Sequence, residues 1–330
     1  MDASMPMKTG SIRRHVGSAM TALALPVLLC AGPAAPASAA PAQLPLLGRL
    51  ANPATPNVVY TIDDSGSMAW RYMPDSASPW TNNDRWWISF HPGDVRSLNT
   101  AYGNLPASLR LFSTRADDLV SARLRSSAYN TIYYNPEVRY EPWFNSDGTQ
   151  FPAASSTAAA LNPNIPGWGT VSLEGTVDYN GPLCTSSSPG ATSATCATVA
   201  NEPITPATWY QYNGGGFDSL ASFTQVRIMD HAGFARGAAR TDCTVAGAGH
   251  ACTQAQEYRN FANWFVYNRT RTYLAIAASS RAFSAQAEQL RVGYGRIGKT
   301  SATSVDGVST KTLERGVRDF TGTARSDFFG

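Results

Sequence analysis

The stretch that most restricts what this chain can fold into is Asn57–Ser67, NVVYTIDDSGS. Its first six residues are rich in valine, isoleucine and tyrosine, which suit a pleated surface, so a short strand buried on both faces is expected. The strand stops at a polar loop in which Asp63, Ser65 and Ser67 alternate. A chain turning away from a strand tip can direct all three oxygens at one point. One carboxylate and two hydroxyls make a hard, all-oxygen donor set that suits Mg²⁺ or Mn²⁺, whereas zinc and copper prefer imidazole and thiolate. Three donors do not complete an octahedron, so water, other loops or a partner's carboxylate would supply the rest. The plainer alternative is a polar turn that binds nothing.

Residues 1–39 read as an export signal. Lys8, Arg13 and Arg14 precede an apolar run from Met20 to Ala31, and Ala37-Ser38-Ala39 offers a small-residue cleavage site. The run is too short to span a bilayer and is broken by Gly32 and Pro33, so no membrane span is expected after cleavage. Arg13-Arg14 also fits twin-arginine export, although paired basic residues are ordinary in signals of any kind. Cys30 lies inside the signal, and losing it from the five cysteines leaves four in an oxidising compartment, where disulfides persist. Of the three pairings, Cys184–Cys196 and Cys243–Cys252 are expected. Each pair brackets a small-residue loop, and closing a loop of about ten residues is worth about 2–3 kcal/mol. No C-x-x-C supports a metal role for these cysteines, and His250 reads as an exposed loop residue. Charged residues are 15% of the chain and the net charge is +3, too small and scattered to argue for nucleic acid.

From Met68 to about Gln254 the sequence is aromatic and poorly periodic. Trp70, Tyr72, Trp80, Trp86 and Trp87 are followed by Tyr129, Tyr133, Tyr134, Tyr140 and Trp143. These rings supply core area to a loop-rich subdomain; the competing reading is a stacking surface for a glycan or host ligand. Asp147-Gly148, Asn180-Gly181 and Asn213-Gly214 mark turns. Strands are expected over Thr170–Tyr179 and Thr208–Tyr212, and a helix over about 105–128 with Leu109, Leu111, Phe112 and Leu119 on its buried side. The strongest helical pattern is Gln254–Gln286, where Tyr258, Phe261, Phe265, Thr272 and Ile276 recur near helical spacing. Unbroken, it would run about 45 Å. Arg269 and Arg271 are read as a solvated helix face, with pairing to carboxylates across a contact as the alternative. Arg291–Ile297 reads as a second strand, giving a strand, insertion, helix, strand unit with a right-handed crossover. Asp306-Gly307 has turn chemistry between Ser301–Val305 and Val308–Leu313, a hairpin expected to include an edge strand.

The strand followed by DDSGSM resembles the metal-ion-dependent adhesion site of a von Willebrand factor A domain. Further segments resemble the PilY family of type IV pilus tip and assembly adhesins: Tyr133-Tyr134-Asn135-Pro136 with Pro142-Trp143, Arg240-Thr241-Asp242-Cys243, and Asn260-Phe261-Ala262-Asn263-Trp264-Phe265 followed by Arg269-Thr270-Arg271. The resemblance covers about residue 50 onward and only the front part of such proteins. It implies an α/β fold: an incomplete von Willebrand factor A-like (Rossmann-like) sheet with a large aromatic, loop-rich insertion after the first strand. Residues 1–39 would be the signal peptide, 40–67 the first strand and metal loop, 68–253 the insertion, and 254–330 the truncated continuation. A doubly wound sheet needs about six strands; two central ones and an edge are legible. The threonine and second aspartate that complete the family's metal site find no matching position, nor does the C-terminal propeller-like domain with its calcium loop. The chain is therefore expected to be an N-terminal fragment holding Mg²⁺ (or Mn²⁺) weakly through Asp63, Ser65 and Ser67. The implied setting is the periplasm, cell surface and pilus tip of a Gram-negative bacterium. The implied partners are minor pilins and a host or abiotic surface, with no nucleic acid.

Two other readings compete. A serine hydrolase would use Ser65 with His91 or His231 as base, but Ile62, Asp63 and Ser67 stand where a trypsin-like turn has glycines, and there is no G-x-S-x-G elbow. A purely structural pilus component would need no metal.

Overall fold

The computed structural model describes residues 55–77, 119–185, 195–243, 251–286 and 290–330, all within the unit Ala54–Gly330. In chain order the strands and helices are β1 (Asn57–Ile62), α1 (Leu119–Leu124), β2 (Ala159–Ala160), β3 (Thr170–Val171), β4 (Val177–Thr185), β5 (Thr195–Ile204), β6 (Thr208–Tyr212), β7 (Phe223–Arg227), β8 (Gly233–Ala235), β9 (Ala251–Thr253), α2 (Gln254–Tyr267), α3 (Arg271–Ser284), β10 (Arg291–Arg296), β11 (Thr303–Val305), β12 (Val308–Thr310), β13 (Leu313–Asp319) and α4 (Gly322–Phe329). The architecture is mixed α/β with small open sheets. The export signal with Cys30, the residues Trp80, Trp86, Trp87, His91 and His250, and the Leu109, Leu111 and Phe112 side of the expected helix lie outside the described residues.

The largest described sheet has the order β1-β10-β13. β1 runs parallel to β10, with Asn57 opposite Arg291 through Ile62 opposite Arg296. A parallel pair needs a long crossover, and the chain between these strands includes α2 and α3. β1 is not buried on both faces as expected. Among the described residues it pairs only with β10, its burial alternates along the strand, and Val59 is 57% exposed. The edge on the other side is β13, antiparallel to β10, rather than the hairpin. The hairpin β11–β12 forms its own two-stranded ladder, and its turn is read correctly: Asp306 and Gly307 both have positive φ, as a tight two-residue hairpin turn demands.

The core lies around α2. Thr253 caps this helix in a reciprocal box with Gln256, and Tyr258, Phe261, Trp264 and Phe265 are buried. Full burial of such side chains is worth about 1.5–3 kcal/mol each. Tyr72, Tyr133, Tyr134 and Trp143 pack into the same cluster, so these aromatics are core rather than a stacking surface. The surrounding loops have few ladder partners for their backbone groups, and α2 supplies them. Asn260 accepts from the Tyr140 N–H at 2.8 Å and donates to the Val138 carbonyl at 2.8 Å. Asn263 accepts from the Ala154 N–H at 2.9 Å and donates to the Tyr140 carbonyl at 3.0 Å. Trp264 Nε1 donates to the Ile132 carbonyl at 2.9 Å, and Trp143 Nε1 to the Tyr267 carbonyl at 2.8 Å.

Within this core lies a buried charge network. Arg240 Nη1 donates to Glu257 Oε2 at 2.9 Å and to the Pro136 carbonyl at 2.7 Å, while its Nε meets Asp242 at 2.9 Å. Arg236 and the Tyr134 hydroxyl donate to Glu257 Oε1 at 2.8 and 2.7 Å. Burial works against the Arg240 charge, but the carboxylates of Asp242 and Glu257 outweigh it and raise its pKa. Burial, and then the Glu257 charge, push the Tyr134 phenol well above its ordinary value. The expected Cys243–Cys252 disulfide is present, directly after this arginine and before α2. Cys184 and Cys196 stand opposite one another in the β4–β5 ladder; their side chains lie outside the described residues.

Four further expectations are corrected. The helix expected to reach residue 128 ends at Leu124, where the Asn130 side chain donates to the Leu124 carbonyl at 2.9 Å; Val120, Ser121, Ala122, Arg123 and Leu124 are all buried, with Leu119 half-buried. The strand over 170–179 is split between β3 and β4, because Leu173 drops into the core and the Gly175 N–H turns to the Tyr258 hydroxyl. The long helix breaks at residues 268–270, where Thr270 caps a new helix by accepting from the Tyr273 N–H. Finally, Arg269 is fully buried rather than solvated. It donates to the Phe265 and Leu161 carbonyls and lies 4.4 Å from the Phe265 ring centre. Arg271 takes the pairing alternative: it reaches Asp75 at 2.6 Å and stacks over Trp70.

Candidate functional site

The acid–serine loop sits at the C-terminal tip of β1, where a 3₁₀ turn over Gly66–Ala69 follows. Asp63 Oδ1 accepts from the Ser65 N–H at 2.8 Å, the short-range bond that lets an aspartate build its own turn. That backbone bond, and then the Ser65 side chain, hold the Asp63 carboxyl below its usual range, so it is an anion near neutral pH. The hydroxyls of Ser65 and Ser67 lie 3.0 Å apart. From behind, α3 holds the loop: Thr272 donates to the Met68 carbonyl at 2.9 Å, and the Arg271 N–H to the Trp70 carbonyl at 3.1 Å.

The donor set can be tested against a cation by geometry. A six-coordinate Mg²⁺ with oxygens at about 2.0–2.1 Å places neighbouring oxygens about 2.9–3.0 Å apart. The serine hydroxyls have that spacing, and an anionic carboxylate two residues earlier matches the hard-ligand chemistry. Asp63, Ser65 and Ser67 are the residues that could hold such an ion; at this spacing the two hydroxyls also hydrogen-bond to each other. Among the described residues no group of three or more His, Cys, Asp or Glu side chains could hold a metal.

Asp64, passed over in the sequence, is tied down. It accepts from the Gly298 N–H through Oδ1 and from Arg296 at 3.2 Å through Oδ2. Arg296 reaches Glu314 at 2.6 Å, and Glu314 pairs with Lys299 at 3.1 Å. No local signal could have revealed this arrangement, because the Asp64 partners lie 232 and 234 residues along the chain. Of the bases considered for Ser65, His231 packs its ring against Phe234, 5.3 Å between centres.

An apolar cavity of about 480 Å³ lies beneath the sheet, bounded by Tyr60, Phe144, Ile276, Tyr294 and Phe328. Among the described residues no helix is long and apolar enough to cross a membrane.

Comparison with known proteins points one way. The chain is 28% identical over 334 aligned residues to the type IV pilus biogenesis factor PilY1 of Pseudomonas aeruginosa strain PAK, with 97% of this chain covered. It is 24% identical, again over 97% of its length, to the factor of the same name from a second strain of that species. It spans 22% of the length of each of these curated relatives. No protein-family model and no solved structure matches the chain.

Proposed function

This chain matches the PilY1 type IV pilus biogenesis factors at the level of family, and from that premise we propose that it is an exported component of pilus assembly and adhesion that works through a metal-dependent site. Asp63, Ser65 and Ser67 hold Mg²⁺ or Mn²⁺, and the bound ion offers an open coordination position to a carboxylate on a partner. Minor pilins at the pilus tip and a host or abiotic surface are the partners that fit such a role. The observation that carries this reading is the 3.0 Å spacing of the two serine hydroxyls beside an anionic aspartate at a strand tip.

Titrating the purified chain with Mn²⁺, and following loss of the free-ion paramagnetic signal, tests it directly. The unaltered chain is expected to take up one Mn²⁺ that excess Mg²⁺ displaces, and Asp63→Ala to take up none while keeping its melting temperature in EDTA. Equal uptake by both proteins would sink the assignment.

A further inference from the structure

Resting on that reading of the loop, we propose that Asp64 is a positioning residue for the ion: its carboxylate clasps the loop to the ends of β10 and β13, fixing where Asp63, Ser65 and Ser67 point. The two aspartates are adjacent in sequence but face different work. Asp63 turns back on its own loop through the Ser65 N–H. Asp64 turns outward and uses both oxygens, one on the Gly298 N–H and one on Arg296. Arg296 is itself held by Glu314 at the start of β13, and Glu314 by Lys299, whose ammonium also donates to the Leu313 carbonyl at 3.1 Å. The Ile297 N–H donates to the Ile62 carbonyl at 3.2 Å, so backbone and side chain fasten the same junction.

Gly298 is the other half of the same contact. A Cβ there would lie 3.1 Å from the Asp64 carboxyl carbon and closer still to Oδ1. A side chain at 298 would push the Asp64 carboxylate away from the Gly298 N–H. The loop's orientation is set by a contact that two positions, 64 and 298, must both allow. Groups that orient metal-binding side chains from behind govern affinity without touching the ion.

The test is Mn²⁺ affinity of the whole chain, read from the free-ion paramagnetic signal, with melting in EDTA as the control for folding. Asp64→Ala is expected to weaken Mn²⁺ binding by about 10-fold or more, at a melting temperature in EDTA close to that of the unaltered chain. Asp64→Asn keeps an acceptor for the Gly298 N–H but loses the charge facing Arg296, so its affinity is expected to fall between the two. Gly298→Ala, which leaves every acidic group in place, is expected to weaken binding in the same direction. Should Asp64→Ala fail to fold, Asp64→Asn and Gly298→Ala carry the comparison. If both bind Mn²⁺ as tightly as the unaltered chain while Asp63→Ala does not bind, the clasp is overturned and the metal loop stands. If the unaltered chain binds no Mn²⁺, the metal loop falls and the clasp with it.

Discussion

The region around α2 and the tip of β1 both carry sequence patterns distinctive enough to compare with a family, yet they are built on opposite principles. Around α2 most of the distinctive residues are enclosed: Trp264, Arg240 and Glu257 are among the most buried side chains, and their polar atoms are spent on backbone groups and on each other. At the tip of β1 the strand is half-exposed and the Asp63 carboxyl and serine hydroxyls bond chiefly within their own loop. Polar groups satisfied inside a core serve the fold. Polar oxygens gathered at an accessible strand tip are available to an outside ligand. The contrast teaches that a recognisable motif is not by itself a functional site; the destination of its hydrogen bonds decides.

The sharpest way to break this contrast is to remove the centre of the buried network. Glu257→Ala leaves Arg240, Arg236 and the Tyr134 hydroxyl without their shared acceptor, and a loss of about 3–5 kcal/mol in urea denaturation is expected for a buried pair broken on one side. A loss below about 1 kcal/mol would mean that water reaches the network.

Alkaline titration probes the same region from another side. Burial raises the Tyr140 and Tyr267 phenols to about 12, against about 10 in an unfolded chain. A raised folded-state pKa means that the stability these phenols confer is fully present below pH about 10 and is lost as the pH rises through about 12. Phenolate absorbance should therefore lag behind that of a denatured control. Coincidence of the two curves would place these rings in water.

The smallest effect belongs to the exposed side. Gly307, in the β11–β12 turn at φ +82°, packs against nothing, so Gly307→Ala is expected to cost about 1 kcal/mol through its left-handed backbone alone and to leave the α2 region unchanged. A larger loss, or one accompanied by disturbed aromatic circular dichroism, would show the two regions to be one cooperative block.

Much of this molecule is legible one segment at a time. Thr208–Tyr212 is a strand with the expected bounds. Arg291–Arg296 ends one residue early, and Asp306-Gly307 turns as its chemistry requires. The pairing of Cys243 with Cys252 follows from a short loop between them. Asp63, Ser65 and Ser67 bond to one another locally, as residues two apart beyond a strand end can however the rest folds. In each case the determining contacts lie within a few residues, where composition and spacing carry the information.

What tertiary structure alone decided involves partners far away in the chain. The helical pattern through Gln286 could not show that Arg269 would be drawn inward to the Leu161 carbonyl, 108 residues away, with the helix broken there and restarted by Thr270. Nor could it show that β13 would close the sheet against β10, or that Asp64, the twin of Asp63 in sequence, would spend its charge on Arg296. A side chain's type limits the bonds it can make, but the fold determines which partner arrives.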